Sequence, residues 1–219
     1  MNATDLANPT GLNDKSSIHL GEPVDIGHQR ALAKKLFKAI QRRDDAAAIQ
    51  LAPQIHHLDS HRDSIYGDTP LILASRYDMS LKVFQELLPS SNPLLKGYDG
   101  VTALILAAYG SRLGHSPEIV RLLLPGSNPL QTQDNGASAL HVAAFQGSLE
   151  IFAMLLPKSD LLLPDKSGLS PLGHVRLRGG DLCKKMEGLI VAEMARREAA
   201  EIASVIGSGQ QSSARAPRL

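Results

Sequence analysis

The residues best suited to chemistry by type and spacing lie in one histidine-rich segment at positions 56–61. His56, His57 and His61 are its histidines, and His57 and His61 would share a face of a helix and could both bind zinc. Pro53 precedes the segment, however, and no cysteine or fourth ligand lies nearby. We predict no metal and no cofactor, and keep a metal-binding or enzymatic role of this segment as an alternative hypothesis to an exposed loop.

Cys183 is the second chemical candidate, because Lys184 and Lys185 beside it would favour the nucleophilic thiolate. The cysteine lies in a predicted helix, where its usual role is that of a small apolar side chain. The chain has no Gly-x-Ser-x-Gly elbow, phosphate-binding loop or His-Glu-x-x-His helix. We therefore predict that the protein is not an enzyme.

The composition predicts one domain with a hydrophobic core and argues against some classes of partner. The chain has 219 residues, of which 43% are hydrophobic, and a formal net charge of +1. A nucleic-acid partner is not expected, because phosphate binding needs an excess of Lys and Arg. No run approaches the roughly 18 apolar residues of a membrane span, and residues 1–22 lack the apolar region of a Sec signal. We predict a cytoplasmic protein, with secretion into a host cell without a Sec signal peptide as the alternative.

The elements that carry these residues repeat along the chain. A Leu-Leu-Pro phrase recurs at 87–94, 123–130 and 155–162, and a glycine follows the second leucine by twelve residues each time. Together with an earlier copy, the glycines are Gly67, Gly100, Gly136 and Gly168, spaced 33, 36 and 32 residues apart. Repetition at this period is typical of a solenoid, whose units bury their apolar faces against each other.

Each unit is predicted to be a turn followed by two helices. Asp-Gly and Asn-Gly before the unit favour a tight turn. A hydroxyl two residues after each glycine can cap a helix, as Thr69, Thr102, Ser138 and Ser170 do by position. A second helix then ends at the proline of the repeated phrase, because proline lacks an N–H and clashes with the preceding turn.

These phrases resemble the ankyrin repeat over about residues 36–177. The Ser-Ala-Leu-His-Val-Ala-Ala run at 138–144 and the Gly-His-Ser-Pro-Glu-Ile-Val-Arg-Leu-Leu run at 114–123 match the family pattern. The resemblance implies an all-α solenoid of helix-turn-helix units with short β-turn fingers. The Leu-Leu-Pro-x-Ser-Asn/Asp ending is similar to the variant common in bacterial ankyrin proteins. This chain departs from the pattern in an insertion around 111–113, and keeps the family histidine only at His141.

The resemblance also implies where a partner binds. In this family, partners contact the tips of the turns and the exposed, concave side of the first helices. Carried over residue by residue, the implied protein-binding positions are Tyr66, Asp68, Arg76, Tyr77, Tyr98, Asp99, Tyr109, Asp134, Asn135, Phe145, Gln146, Lys166 and Arg176.

The placement of the aromatic residues favours the same face. All four tyrosines and Phe145 fall on these positions, whereas Phe37, Phe84 and Phe152 fall on positions expected in the core. Tyrosine is enriched where proteins bind one another because it offers a large contact area with a polar tip. Half-exposed tyrosines tolerated by any such stack are the alternative interpretation.

The chain is divided as follows. We predict that residues 1–26 are a flexible segment, 27–206 the repeat domain and 207–219 a flexible tail. Within the domain, 27–66 is an N-terminal cap, 67–99, 100–135 and 136–167 are repeats, and 168–206 is a C-terminal cap. The C-terminal cap ends in a long helix that Asp181 begins and that runs to about Ile206.

The resulting functional prediction is a protein–protein interaction module that binds a partner through its concave face. The first hypothesis is a bacterial effector or adaptor that acts on a host protein. The alternative is a cytoplasmic immunity or antitoxin protein that inhibits a toxin. We expect a monomer when free and no membrane partner, with self-association through an incompletely capped end as a third hypothesis.

Overall fold

The computed structural model describes residues 25–110 and 117–213, with side chains as far as residue 206. Ten α-helices lie within these ranges. They are α1 (Ile26–Gln41), α2 (Asp45–Leu51), α3 (Pro70–Arg76), α4 (Leu81–Leu87), α5 (Ala103–Ala108), α6 (Pro117–Leu123), α7 (Ala139–Gln146), α8 (Leu149–Leu155), α9 (Pro171–Arg178) and α10 (Gly180–Ser213). The predicted all-α class is confirmed.

The helices form two parallel rows. The inner row runs α1, α3, α5, α7, α9, and each member packs against the next. The outer row runs α2, α4, α6, α8, α10 in the same way, and partners within a unit also touch. Because each unit contacts mainly its neighbours, the apolar faces merge into one continuous core along the stack.

Local sequence chemistry sets where each inner helix begins. The hydroxyls of Thr69, Thr102 and Ser170 accept hydrogen bonds from the third amide of α3, α5 and α9, at 3.3, 3.2 and 3.3 Å. These bonds satisfy amides that have no partner inside a helix. Each outer helix from α4 to α8 passes into a 3₁₀ turn that contains the proline of the repeated phrase, which is how the proline ends the α-helix.

The core is made of the residues that repeat. Phe84 and Phe152 are fully buried and Phe37 is nearly so, as expected from their helix positions. Alanines on the inner helices, such as Ala107 and Ala143, are fully buried and permit close approach of neighbouring helices. Cys183 is buried in α10, which suits the packing role expected for it.

The ends differ from the sequence predictions in two respects. Helix α10 runs to Ser213 rather than to about Ile206. Asp181 lies inside its first turn instead of capping it, where a carboxylate favours the positive end of the helix dipole. Of the two predicted flexible segments, 1–24 and 214–219 lie outside the described residues, as does the predicted insertion at 111–113. None of the helices in the described ranges is long and apolar enough to cross a membrane.

Candidate functional site

Four fingers precede the inner helices α3, α5, α7 and α9. Each finger turns at a glycine with positive φ, namely Gly67, Gly100, Gly136 and Gly168, a conformation that glycine adopts without strain. A backbone hydrogen bond closes each finger. It spans four residues in the last three, as from Gln133 N to Ala137 O (3.0 Å), but five in the first, from Asp63 N to Asp68 O (3.0 Å). The first finger therefore contains one extra residue.

Neighbouring fingers are joined by hydrogen bonds whose donor in each case is the amide two residues before the glycine. The amide of Asp134 donates to Asp99 O, and the amide of Lys166 donates to Asn135 O, both at 2.8 Å. At the first joint the amide of Tyr98 donates instead to the Asp68 carboxylate, at 3.1 Å. The fingers thus form a hydrogen-bonded row whose tips are held at fixed spacing.

The prediction that Asp68 contacts a partner is wrong, because its side chain is fully buried. Its second oxygen accepts a hydrogen bond from Arg76 Nε at 2.7 Å. Arg76 also lies over the ring of Tyr66, 4.5 Å from the ring centre, and the Tyr66 and Tyr98 rings are 6.2 Å apart. The cation–π and aromatic contacts build a compact cluster in which Asp68 positions the groups that face outward.

A second cluster lies towards the C-terminal end. The rings of Phe145 and His174 meet edge to face with centres 6.2 Å apart, and His174 Nε2 is 2.7 Å from Asp165 Oδ2. Burial raises the pKa of Asp165, but hydrogen bonds from Ser167 and His174 outweigh it and hold that pKa well below its usual value. Tyr109 lines the same cleft, which has a volume of about 190 Å³.

His141 forms the buried base of this cluster. Its Nδ1 accepts the amide of Ser138 at 3.1 Å, and its Nε2 lies 2.9 Å from Leu163 O. These contacts suit the neutral ring with its proton on Nε2. Burial lowers the pKa of His141, which favours the same neutral form. His141 therefore ties α7 to the next finger.

The thirteen predicted binding residues divide into three groups by exposure. Asp68 alone is buried. Five are half-buried: Tyr66, Arg76, Tyr77, Tyr109 and Gln146. Seven are exposed: Tyr98, Asp99, Asp134, Asn135, Phe145, Lys166 and Arg176. Tyr98 and Phe145 expose 57% and 55% of their surface, which makes them the largest accessible apolar groups on the predicted face.

At the fourth unit, the structure differs from the predicted set of binding residues at three positions. Arg176 pairs with Glu187 of α10 at 2.9 Å, so its charge is partly neutralised within the chain. His174 is absent from the predicted set, although its position one residue after that of the family histidine was a usable signal. Arg178 was also missed, and it donates to Phe145 O at 2.7 Å.

The segment considered for metal binding has no ligand cluster. His57 has a left-handed backbone (φ 54°) and precedes a single 3₁₀ turn, so His57 and His61 do not share a helix face. No group of three potential protein ligands comes together anywhere in the described ranges.

The stacked helix pairs, their glycine-tipped fingers and the exposed aromatic residues define a helical-repeat binding scaffold. Residues 110–184 match the family model for ankyrin repeats (3 copies). Residues 110–184 are thus ankyrin repeats, and ankyrin repeats indicate a protein–protein interaction module. No curated protein matches the chain.

Proposed function

We propose that the chain binds a partner protein through the face made by the finger tips and the inner helices. The observation that carries this proposal is the placement of Tyr98 and Phe145. Both are more than half exposed on this face, in a chain with only eight Tyr and Phe residues and no Trp. Large aromatic groups on a rigid scaffold supply binding energy with little loss of side-chain entropy.

The hydrogen-bonded fingers support the same proposal through preorganisation. Main-chain bonds at 2.8 Å fix Asp134 against Asp99 and Lys166 against Asn135. A partner therefore meets tips that are already in place, and association needs little ordering of loops. We propose that the free chain is monomeric and reaches its partner in this preformed state.

The test compares partner capture by two double variants, each of which removes two side chains that are more than half exposed. Tyr98→Ala/Phe145→Ala removes aromatic surface from the proposed face. Leu130→Ala/Leu162→Ala removes two leucines that are 54% and 71% exposed, and Leu162 lines a groove with Met194 of the outer-row helix α10. Tyr77 and Tyr109 are poorer choices, because both pack against the core.

We expect the aromatic variant to lose at least about 2 kcal/mol of binding free energy, about thirtyfold in affinity, and the leucine variant to bind as wild type. Circular dichroism confirms that each variant folds. Capture lost only by the leucine variant would move the site to the loops that carry Leu130 and Leu162. Equal capture by both variants would also reject the proposed face.

We further propose that the partner is a host-cell protein and that the chain acts as a bacterial effector or adaptor. The support is the resemblance of the Leu-Leu-Pro-x-Ser-Asn/Asp phrases to bacterial ankyrin repeats. A cytoplasmic immunity or antitoxin role is the alternative. Capture from host lysate, sensitive to Tyr98→Ala/Phe145→Ala, favours the effector, whereas similarly sensitive capture of a toxin from the producing cell favours the immunity role.

A further inference from the structure

A basic cleft of about 550 Å³ lies between α1 and the first finger. Arg30, Lys34 and Lys38 line it from α1, and His61 and Arg62 line it from the finger. It lies between an inner helix and a finger, as does the cleft beside Phe145. The basic cleft thus continues the proposed binding face to its N-terminal end.

The positive charge of the cleft is not balanced within the described residues. The single acidic residue in its lining is Asp63, whose buried carboxylate accepts the amides of Ile65, Tyr66 and Asp68. Across 25–110 and 117–213, none of the three α1 cations forms an ion pair. With a net charge of only +1 for the whole chain, this is a local concentration of cations.

Two further observations concern the positive charge of the cleft: the hydrogen bonds of Arg62 and the lowered pKa of His61. Arg62 Nη1 donates to Gly67 O at 3.0 Å and to Lys96 O at 2.9 Å, which fixes the guanidinium without neutralising it. Burial lowers the pKa of His61, and the positive charge of Arg30 lowers it further. The cleft therefore has a positive potential that an anionic ligand would relieve.

The spacing of the α1 cations selects the shape of that ligand. Arg30, Lys34 and Lys38 follow one another at four-residue steps, which places them about 6 Å apart along the helix. Alternate side chains of an extended peptide are about 6.6 Å apart. Carboxylates at alternate positions of an extended segment can therefore meet successive cations, whereas adjacent carboxylates point to opposite sides.

We propose that this cleft binds an extended, acidic segment of the partner protein, with acidic residues at alternate positions. The inference rests on the proposed function and names the chemistry of its partner. A protein segment fits better than a nucleic acid, because the cleft lining contains no Tyr or Trp and its one phenylalanine, Phe37, is only 8% exposed, which leaves no large exposed ring on which a base could stack.

The test measures fluorescence anisotropy of labelled probes titrated with the purified chain. The main probe is a peptide of about twelve residues in which glutamate alternates with serine. The comparison probes are the same composition with the glutamates in one block, the alternating sequence with glutamine for glutamate, an oligothymidylate of equal charge and a peptide of residues 1–24. Lys34→Ala/Lys38→Ala is the test variant, and Lys82→Ala/Lys158→Ala, which changes two exposed lysines elsewhere, is the control.

We expect the alternating peptide to bind most tightly, and the test variant to weaken that binding about five- to tenfold. The control variant should bind as wild type, and added salt should weaken binding. No binding by wild type, or equal binding by both variants, would overturn the proposal. Tighter binding of the oligothymidylate would make the ligand a nucleic acid, and tighter binding of the 1–24 peptide would make it the chain's own beginning.

A second copy of this chain could also occupy the cleft, and light scattering tests for it. Self-association of the wild type that is lost in Lys34→Ala/Lys38→Ala would identify a second copy as the occupant and overturn the proposal. The peptide-binding results can be distinguished from failure of the proposed function, which is tested by partner capture. The variant Lys34→Ala/Lys38→Ala could capture the partner as well as wild type does, while capture still depends on Tyr98 and Phe145. That result would support the proposed binding face and overturn only the proposal of an acidic segment.

Discussion

Replacing Asp68 by alanine should destabilise the protein by about 3 kcal/mol, although the residue was predicted from the sequence to contact a partner. Its fully buried carboxylate accepts hydrogen bonds from Arg76 Nε and the amide of Tyr98. The first bond holds the Arg76–Tyr66 cluster together, and the second joins two fingers. Alanine removes both bonds at once.

The magnitude follows from those two bonds. A hydrogen bond between charged groups contributes about 1.5–3 kcal/mol, and we take the lower end because the Arg76 side chain is 24% exposed and can be rehydrated. Leaving the Tyr98 amide without an acceptor costs about 1–3 kcal/mol. Asp68→Asn keeps an oxygen for this amide and loses only the charge, so it should cost about 1.5 kcal/mol.

The assay is urea denaturation followed by circular dichroism, together with thermal melting. For a protein of this size, 3 kcal/mol lowers the melting temperature by about 6–12 °C, and the asparagine variant should lose about half as much. Asp134→Ala is the control, because the Asp134 side chain is exposed and has no hydrogen bond within the described ranges. A cost below about 1 kcal/mol for Asp68→Ala, or equal costs for Asp68→Ala and Asp134→Ala, would refute the reasoning.

Three further predictions concern stability at the C-terminal half. His141→Ala should cost about 2 kcal/mol by urea denaturation, because it removes the acceptor of the Ser138 amide and the donor to Leu163 O. Arg197→Ala should cost about 2 kcal/mol and speed amide exchange in α10, because Arg197 donates to two carbonyls of the turn after α8, each at 2.9 Å. Hydrogen bonds from two arginines lower the pKa of Glu193 to about 2. Because this folded-state pKa is below the unfolded one, the contribution of Glu193 is present above about pH 4.5 and is lost as the pH falls towards 2. Glu193→Gln should flatten the acid side of the stability profile.

Each of these predictions has an outcome that would contradict it. Wild-type stability of His141→Ala would mean that water replaces both of its bonds. Unchanged exchange in α10 of Arg197→Ala would mean that apolar packing alone holds the last helix. An acid profile that is identical in Glu193→Gln and wild type would assign the low-pH loss of stability to other carboxylates.

Local features could be predicted from the sequence because local chemistry determines them. Positive φ at Gly100 and Gly136 follows from the demands of a tight turn. The caps at Thr69 and Thr102 follow from unpaired amides at a helix start. The repeat period then places Phe84 in the core.

Features that depend on the relation between units could not be predicted in the same way. Asp68 follows its finger glycine as Val101 and Ala137 do, and all three are buried. The bond from the Tyr98 amide to the Asp68 carboxylate, however, forms only when the first two units pack together. The basic cleft joins Lys34 and Lys38 to Arg62, and these residues are distant in sequence and meet only when α1 packs beside the first finger. His174 lies one residue beyond the family position, which turns it towards Asp165 of its own finger.

The two kinds of joint between fingers affect which repeats could be duplicated in evolution. Tandem duplication of 100–135 would recreate the joint between finger tips, in which the Asp134 amide donates to the Asp99 carbonyl and no tip side chain takes part, so the tip of the new copy could dock with different side chains. Selection can therefore alter the tips of the central copies to recognise a new partner without breaking the array. The first joint lacks this freedom, because it needs the carboxylate of Asp68.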